Sequence, residues 1–185
     1  NKGDDTFQEI MQTGLECIGD LDLYHIYEVL SLAVQSLASI SPDYVLDVSH
    51  MGLVSGFMEA AGVSREDYPT VLEAVREKNA AALRAFCREK GMSATVSALL
   101  EKLVSTYGPI EAVLAELAPL CVGGKKTREA WEELNSVCQL LKANGLGDKV
   151  CLDFSVEGGM DYYSGIVFRG FIKNLSAGVL AGGQY

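Results

Sequence analysis

The sequence has no apolar run near the roughly 20 residues that a membrane-spanning helix needs, and its basic residues are few. Fifteen Lys and Arg stand against 25 Asp and Glu, which gives a net charge of −10 over 185 residues. Because phosphate contacts need clustered cations, this charge argues against a large nucleic-acid footprint. Hydrophobic residues make up 49% and charged residues 22%, which is a globular composition. We therefore expect no membrane partner and no nucleic-acid partner.

Recurrent catalytic and metal-binding motifs are also missing. There is no Walker loop, dinucleotide fingerprint, GxSxG, HExxH or EF-hand loop. The cysteines are scattered without a CxxC pair, and His25 and His50 lack spaced partners, so we predict core thiols and histidines with structural or solvent-facing roles. The sequence predicts no metal site, no cofactor and no disulfide framework. Reduced thiols and the lack of a signal peptide indicate the cytoplasm.

Hydrophobic spacing divides the first third of the chain into alternating strands and helices. Apolar and polar residues alternate over residues 7–18, which predicts a strand. Helical spacing over residues 26–37 predicts a helix that Asp22 caps and that ends before a Ser-Pro pair, because the residue before proline resists the helical region. Residues 43–49 predict a second strand, and residues 51–61 a short helix ended by glycine.

The rest of the chain separates into a helical block and a second group of strands. Residues 64–144 show helical spacing interrupted by short glycine and proline links, which is typical of a small bundle. After residue 145 the period changes to two, and residues 150–154, 161–172 and 178–185 predict an antiparallel meander. The order of elements predicts an α+β fold in which a sheet domain carries an all-helical insertion.

The predicted organisation has three parts. Residues 1–62 form the first part of the sheet core, residues 63–147 the helical insertion, and residues 148–185 the second part of the core. The chain starts with Asn rather than Met and stops within a predicted strand. We therefore expect it to be an internal piece of a longer protein.

Two polar segments are candidates for a ligand site. In a strand, residues two apart share a face, so Gln12, Gly14 and Glu16 would point the same way. By the same rule Asp161 and Tyr163 share a face, and the glycines around them are typical of the close approach of a ligand or another backbone. Together these side chains could form a cradle for a small cationic or donor-rich ligand. A solvated sheet face is the alternative.

In order and spacing, these segments resemble the catalytic core of the histidyl-tRNA synthetases and of their paralogues, the regulatory subunits of ATP phosphoribosyltransferase. Residues 12–19 are similar to the family's Gln-x-Gly-x-Glu-x-x-Gly, which ends class II motif 2. Residues 158–168 are similar to its histidine-binding motif Arg-Gly-Leu-Asp-Tyr-Tyr, and residues 181–185 to the following Ala-Gly-Gly-Arg-Tyr. The resemblance covers nearly the whole chain. It implies a class II aminoacyl-tRNA synthetase-like antiparallel sheet flanked by helices.

The resemblance also implies a histidine pocket. Glu16 and Tyr163 would contact the imidazole nitrogens, and Gln12 the α-amino group. Gly182 and Gly183 would line the pocket. A carboxylate suits such a ligand, because a charged partner strengthens a hydrogen bond.

Departures from the family pattern favour the regulatory paralogue. Gly158 stands where the synthetases have a catalytic Arg, whose loss typically removes several kcal/mol of transition-state stabilisation. Gln184 replaces the Arg of Gly-Gly-Arg-Tyr, Gln8 stands where many relatives have Arg, and Arg169 stands where the synthetases have Glu. Three cationic positions are therefore neutral. A site that only senses histidine tolerates this loss better than one that must activate a carboxyl group with ATP.

The resemblance therefore implies a histidine-sensing, non-catalytic regulatory subunit of histidine biosynthesis. It would bind the catalytic subunit of ATP phosphoribosyltransferase, be required for its activity and feedback control, and form a homodimer within a hetero-oligomer. A histidyl-tRNA synthetase core that forms histidyl-adenylate and acylates tRNA is the alternative. A third hypothesis is a scaffold that has lost histidine binding.

Overall fold

A computed structural model describes residues 11–122, 124–156 and 162–185. The described part contains seven α-helices and five strands. The helices are α1 (Leu23–Ile40), α2 (Met51–Ala60), α3 (Tyr68–Arg76), α4 (Ala80–Glu89), α5 (Ala94–Ser105), α6 (Ile110–Leu117) and α7 (Lys125–Ala143). The strands are β1 (Tyr44–His50), β2 (Tyr107–Pro109), β3 (Val150–Asp153), β4 (Ile166–Ile172) and β5 (Leu180–Gly183).

Helix α1 begins and ends where the sequence predicts. The Asp22 carboxylate accepts the backbone N–H groups of Tyr24 and His25 at 2.9 and 3.1 Å, which satisfies two otherwise unpaired donors of the first turn. Ser41, next to the proline, adopts extended backbone angles and ends the helix. The apolar side of the helix is buried, and Leu37 has no exposed surface. Capping, spacing and proline together predicted this element correctly.

The sheet is mixed, with strand order β2-β3-β1-β4-β5. Strand β1 lies in the centre, parallel to β3 and antiparallel to β4. Strands β4 and β5 form an antiparallel hairpin, and β2 pairs antiparallel with β3. The predicted meander of the last three strands is therefore wrong in one respect, because β1 separates β3 from β4. Alternation within a strand does not encode which strand lies beside it.

The predicted helical block also contributes a strand. Residues 107–109 form the three-residue edge strand β2 between α5 and α6. Gly108, at φ 151°, has backbone angles that other residues rarely adopt. Pro109 has no N–H to donate, which an edge strand tolerates. The block is thereby joined to the core sheet through hydrogen bonds to β3. The division into 1–62, 63–147 and 148–185 stays a prediction.

Residues 11–18 do not form the predicted strand. They have no regular secondary structure and are mostly exposed, including Met11 and Ile18. Alternation gives a stable strand only when a neighbouring strand pairs with its backbone, and no described strand does so here. This corrects the geometric basis on which Gln12, Gly14 and Glu16 were expected to share a face.

The two faces of the sheet differ in character. We call one the helix-covered face; it consists of Leu46, Val48, Leu152, Phe168 and Gly170, which belong to or adjoin the main core. A Cβ added to Gly170 would lie 2.8 Å from Leu37, so α1 packs directly on this face. The other, which we call the polar face, consists of Asp47, Ser49, Cys151, Asp153, Val167, Arg169 and Gly183. The polar face carries the candidate site.

Both histidines contact the first turn of a helix, which agrees with the predicted structural or solvent-facing roles. His25 completes the capping box of α1. His50 is 4% exposed, and its Nδ1 accepts the Gly52 N–H at 3.0 Å at the start of α2. Among the described residues, no helix combines the length and the apolar character that crossing a bilayer would require.

Candidate functional site

Tyr163 lies directly on the polar face at Gly183. A Cβ at Gly183 would be 2.6 Å from Cδ1 of Tyr163 and 2.8 Å from Cγ1 of Val167, so this position requires glycine. Val167 is the partner of Gly183 in the β4–β5 register, and it is buried with Met51 and Val156. Tyr163 packs against this small apolar cluster while remaining half-buried. The ring is therefore held by packing but keeps an accessible side.

Tyr163 belongs to a group of three tyrosines, which we call the tyrosine cluster. Its ring meets Tyr162 edge-on with a centroid distance of 4.7 Å, and Tyr162 stacks at a tilt on Tyr185 at 5.4 Å. Such arrangements are the preferred geometries of aromatic pairs. Residues 162–165 lie outside β4, so the strand predicted to start at residue 161 begins later in the described chain, and the alternation of faces does not hold for Tyr162 and Tyr163.

Glu16 lies beside the tyrosine cluster. Its charge is the largest cause of a raised pKa at Tyr185, followed by partial burial and by the neighbouring Tyr162 and Tyr163. A negative charge opposes formation of a phenolate, so the direction of this pKa shift indicates that the Glu16 carboxylate is close enough to the Tyr185 phenol to act on it electrostatically. An acid of the irregular segment thus acts on a phenol that follows β5 and belongs to the tyrosine cluster. This juxtaposition does not depend on the strand that the sequence predicted for residues 7–18.

The other predicted site residues lie either in the irregular segment that contains Glu16 or outside the described residues. Gln12 is exposed in the same irregular segment as Glu16, and a Cβ added to Gly14 would have no heavy atom within 4 Å. The space beside this segment is therefore open. The role of Gln12 stays a prediction. Gln8, Gly158 and Asp161 lie outside the described residues.

Gly182 and Gln184 point to the side of the sheet opposite Gly183. A Cβ at Gly182 would lie 2.5 Å from Cζ of Phe168, which belongs to the helix-covered face. Gln184 lines a cleft with Asp22 and Glu133, near the start of α1 and the middle of α7. Gly182 can thus contribute to the Tyr163 side only through its backbone. The Gln184 side chain, which stands where relatives have Arg, lies on this opposite side of the sheet and not over Tyr163.

The polar face also holds buried polar groups that the sequence pattern did not single out. Asp47 is 7% exposed and Ser49 is fully buried, and neither Asp47 Oδ1 nor Ser49 Oγ has a hydrogen-bond partner among the described residues. Burial, with a further contribution from nearby Asp153, raises the pKa of Asp47 to about 6, against the opposing effect of Lys78. Both residues belong to the alternating pattern of β1, which gave no sign that both of its faces are buried.

Asp153 is held by strong partners. Lys78 Nζ lies 2.7 Å from its Oδ2, and the Ser155 N–H donates to its Oδ1 at 2.8 Å. The Lys78 ammonium also lies 4.5 Å from the centre of the Tyr107 ring. Lys78 has φ 51°, an uncommon backbone conformation for a residue with a side chain. The ion pair links the end of α3 to the polar face.

No group of three or more His, Cys, Asp or Glu side chains suited to a metal ion occurs in the described part of the chain. All five cysteines are free thiols, and three of them are buried as predicted. Cys17 and Cys151 are only partly buried. Burial raises the pKa of Cys138 to about 12 and that of Cys121 to about 11, so these two are unreactive core thiols near neutral pH.

Comparison with known proteins agrees with this architecture. The sequence model of the histidyl-tRNA synthetase family matches residues 1–185, the whole chain. The chain belongs to the histidyl-tRNA synthetase family. It is also 28% identical over 180 residues to the ATP phosphoribosyltransferase regulatory subunit of Clostridium kluyveri, covering 96% of this chain and 46% of that protein. The chain thus spans about half the length of the curated relatives it matches.

Solved structures show the same fold. An ATP phosphoribosyltransferase regulatory subunit/histidyl-tRNA synthetase from Bacillus halodurans superimposes with a TM-score of 0.80 at 24% identity, over 89% of this chain and 43% of that one. A chain of the ATP phosphoribosyl transferase (HisG:HisZ) complex from Thermotoga maritima gives 0.69 at 20% identity, over 90% and 57%. The predicted α+β, class II synthetase-like fold is confirmed.

Proposed function

We propose that this chain is part of a histidine-sensing regulatory subunit of ATP phosphoribosyltransferase and that it performs no chemistry of its own. The observation that carries the proposal is the position of Glu16 beside the tyrosine cluster that rests on Gly183. A carboxylate and a phenol in one place can accept and donate hydrogen bonds to the two nitrogens of an imidazole. The regulatory-subunit relative from Clostridium kluyveri supports the assignment of the role.

The proposed ligand is histidine bound through its side chain and its α-amino group. Glu16 would accept from one imidazole nitrogen and Tyr163 would contact the other, while the Tyr162 and Tyr185 rings form an apolar wall. Gln12 and Asp161 would complete the pocket. Gly158, in place of the synthetase arginine, leaves no cation at that position to activate the ligand's carboxyl group.

The proposed partner is the catalytic subunit of ATP phosphoribosyltransferase. The similar structure from Thermotoga maritima is a HisG:HisZ complex, so a chain of this fold takes part in an assembly of two kinds of subunit there. We propose that histidine binds the inhibited assembly more tightly than the active one, and that the regulatory chain is a homodimer in the cytoplasm. Coupling between two such sites is reciprocal and typically amounts to about 1–3 kcal/mol.

Calorimetric titration of the protein with histidine tests the ligand. We expect Glu16→Gln to abolish measurable binding, because it removes the charged acceptor and leaves the size of the side chain almost unchanged. Glu28→Gln is the matched control, since Glu28 is an exposed acid on α1 away from the tyrosine cluster. Unchanged affinity in Glu16→Gln would show that the pocket is assigned wrongly.

A histidyl-tRNA synthetase core is the second candidate, because the matching family model carries that description. Histidine-dependent exchange of pyrophosphate into ATP by the protein separates the two functions. We expect no exchange above background, since the catalytic arginine position is Gly158. Robust exchange would establish the synthetase function instead.

A further inference from the structure

A second cleft lies at the end of the sheet where β1 begins and β4 ends. It has a volume of about 360 Å³, and its lining includes Asp43, Tyr44, Lys149, Phe171, Lys173 and Leu175. Aromatic and aliphatic surface is thus combined with two lysines and one aspartate. The tyrosine cluster and Glu16 do not contribute to this lining. We call this place the basic cleft.

One cation of the cleft and one cation beside it lie over aromatic rings that line the cleft. Lys149 Nζ, in the lining, lies 5.9 Å from the centre of the Tyr44 ring. The guanidinium carbon of Arg169, which is not part of the lining, lies 5.5 Å from the centre of the Phe171 ring. These distances are within the range of cation–π attraction. The Tyr44 and Phe171 rings therefore restrict the positions of the two cationic groups without neutralising their charge.

These charges are also weakly compensated. Neither Lys149 nor Arg169 forms an ion pair with a carboxylate of residues 11–122, 124–156 or 162–185. Within the described residues, Lys173 pairs with Asp43, which also lines the cleft; the two charged groups lie 4.0 Å apart, and both side chains are more than half exposed. Exposed pairs of this kind contribute little and leave the lysine available to another anion.

The net charge of the whole protein bears on what this cleft can bind. Because the chain carries a net charge of −10, an acidic partner is attracted only where cations outnumber carboxylates locally, as two lysines and one aspartate do here. We propose that the basic cleft docks an acidic segment of a partner protein, with an apolar side chain between Phe171 and Leu175 and flanking carboxylates on Lys149 and Lys173. The open, partly apolar lining suits a peptide segment that combines both kinds of group.

A labelled peptide tests the proposal on the 185-residue chain. The probe is fluorescein-Gly-Glu-Asp-Leu-Glu-Asp-Gly, followed by anisotropy at low salt, with the Gln/Asn version of the peptide as the neutral probe. We expect saturable binding that the double variant Lys149→Gln/Lys173→Gln weakens roughly tenfold and that roughly 0.3 M NaCl also weakens. The matched control Lys125→Gln/Lys126→Gln removes the same charge at the start of α7 and should change affinity less than about twofold.

Several results would overturn the proposal. These are absent binding, equal binding of the neutral peptide, or equal weakening by both double variants, which would indicate unspecific attraction. Displacement of the peptide by AMP at matched concentration would assign the cleft to small phosphates. Salt-sensitive self-association in sedimentation that the Lys149/Lys173 variant abolishes would make a second copy the occupant. The assay needs neither histidine nor the catalytic subunit, so its outcome is independent of the proposed function.

Discussion

Replacing the buried Asp47 by asparagine should stabilise the protein at neutral and alkaline pH. Burial and the charge of Asp153 raise the pKa of Asp47 to about 6 from 3.8, so the folded protein binds a proton more tightly than the unfolded chain. An acid whose pKa is higher in the folded protein adds to the free energy of unfolding as long as the pH is below its pKa in the unfolded chain. This contribution is lost as the pH rises from about 4 through about 6.

The magnitude follows from the pKa difference. A shift of about two units at about 1.4 kcal/mol per unit corresponds to roughly 3 kcal/mol of unfolding free energy that the ionised Asp47 removes above about pH 7. An asparagine side chain has nearly the same shape and carries no charge. We therefore expect Asp47→Asn to raise the free energy of unfolding by about 1–3 kcal/mol at pH 8. The lower values apply because none of the described residues offers the amide a partner at the position of Oδ1.

Urea unfolding followed by circular dichroism at pH 4.5, 6 and 8 measures this difference. The gain should shrink steadily toward pH 4.5, where Asp47 itself is protonated. Asp43→Asn, an exposed acid next to the same strand, is the control and should show no such trend. The reasoning would be refuted by a gain that does not depend on pH, or by a variant that is less stable than the wild type at pH 8.

Two further predictions concern packing on either side of the sheet. Gly183→Ala should displace the Tyr163 ring, since the added Cβ would lie 2.6 Å from it; we expect at least tenfold weaker histidine binding by calorimetry, and unchanged affinity would separate Tyr163 from the pocket. Leu37→Ala should lower the free energy of urea unfolding by about 2–5 kcal/mol, because this fully buried side chain fills the space over Gly170; a loss below about 1 kcal/mol would contradict that packing.

Local signals predicted the parts of the fold that local interactions determine. The Asp22 cap, the apolar spacing of α1 and the proline at its end are all contained within one stretch of sequence, and α1 was predicted well. Strand β2 was missed because three residues that include a proline give no period-two pattern. The parallel pairing of β1 with β3 joins residues about 100 positions apart, and alternation alone does not encode it.

The geometry of the candidate site could be predicted less well than that of α1. Glu16 acts electrostatically on Tyr185, whose neighbour Tyr162 contacts Tyr163, but the alternation from which a strand was inferred is not realised as a strand over residues 11–18. Gly182 and Gly183 were both expected to line the pocket, although successive residues of β5 face opposite sides. The aromatic contacts of Tyr162 depend on an irregular backbone, which no periodicity describes.

The two faces of the sheet differ in how much room they leave beside the strands. On the helix-covered face, α1 approaches so closely that Gly170 has no room for a Cβ beside Leu37. On the polar face, Gly183 has no side chain, so the Tyr163 ring can lie against the strand, and that ring stays half exposed. Glycine thus allows a helix to pack closely at Gly170 on one face and an aromatic ring to lie on the strand at Gly183 on the other. Asp47, whose Oδ1 has no hydrogen-bond partner in the described part of the chain, belongs to this second face, and its ionisation there costs stability above about pH 7. Rules of local packing are commonly broken in this way where a surface serves a function, which is what we propose for the polar face.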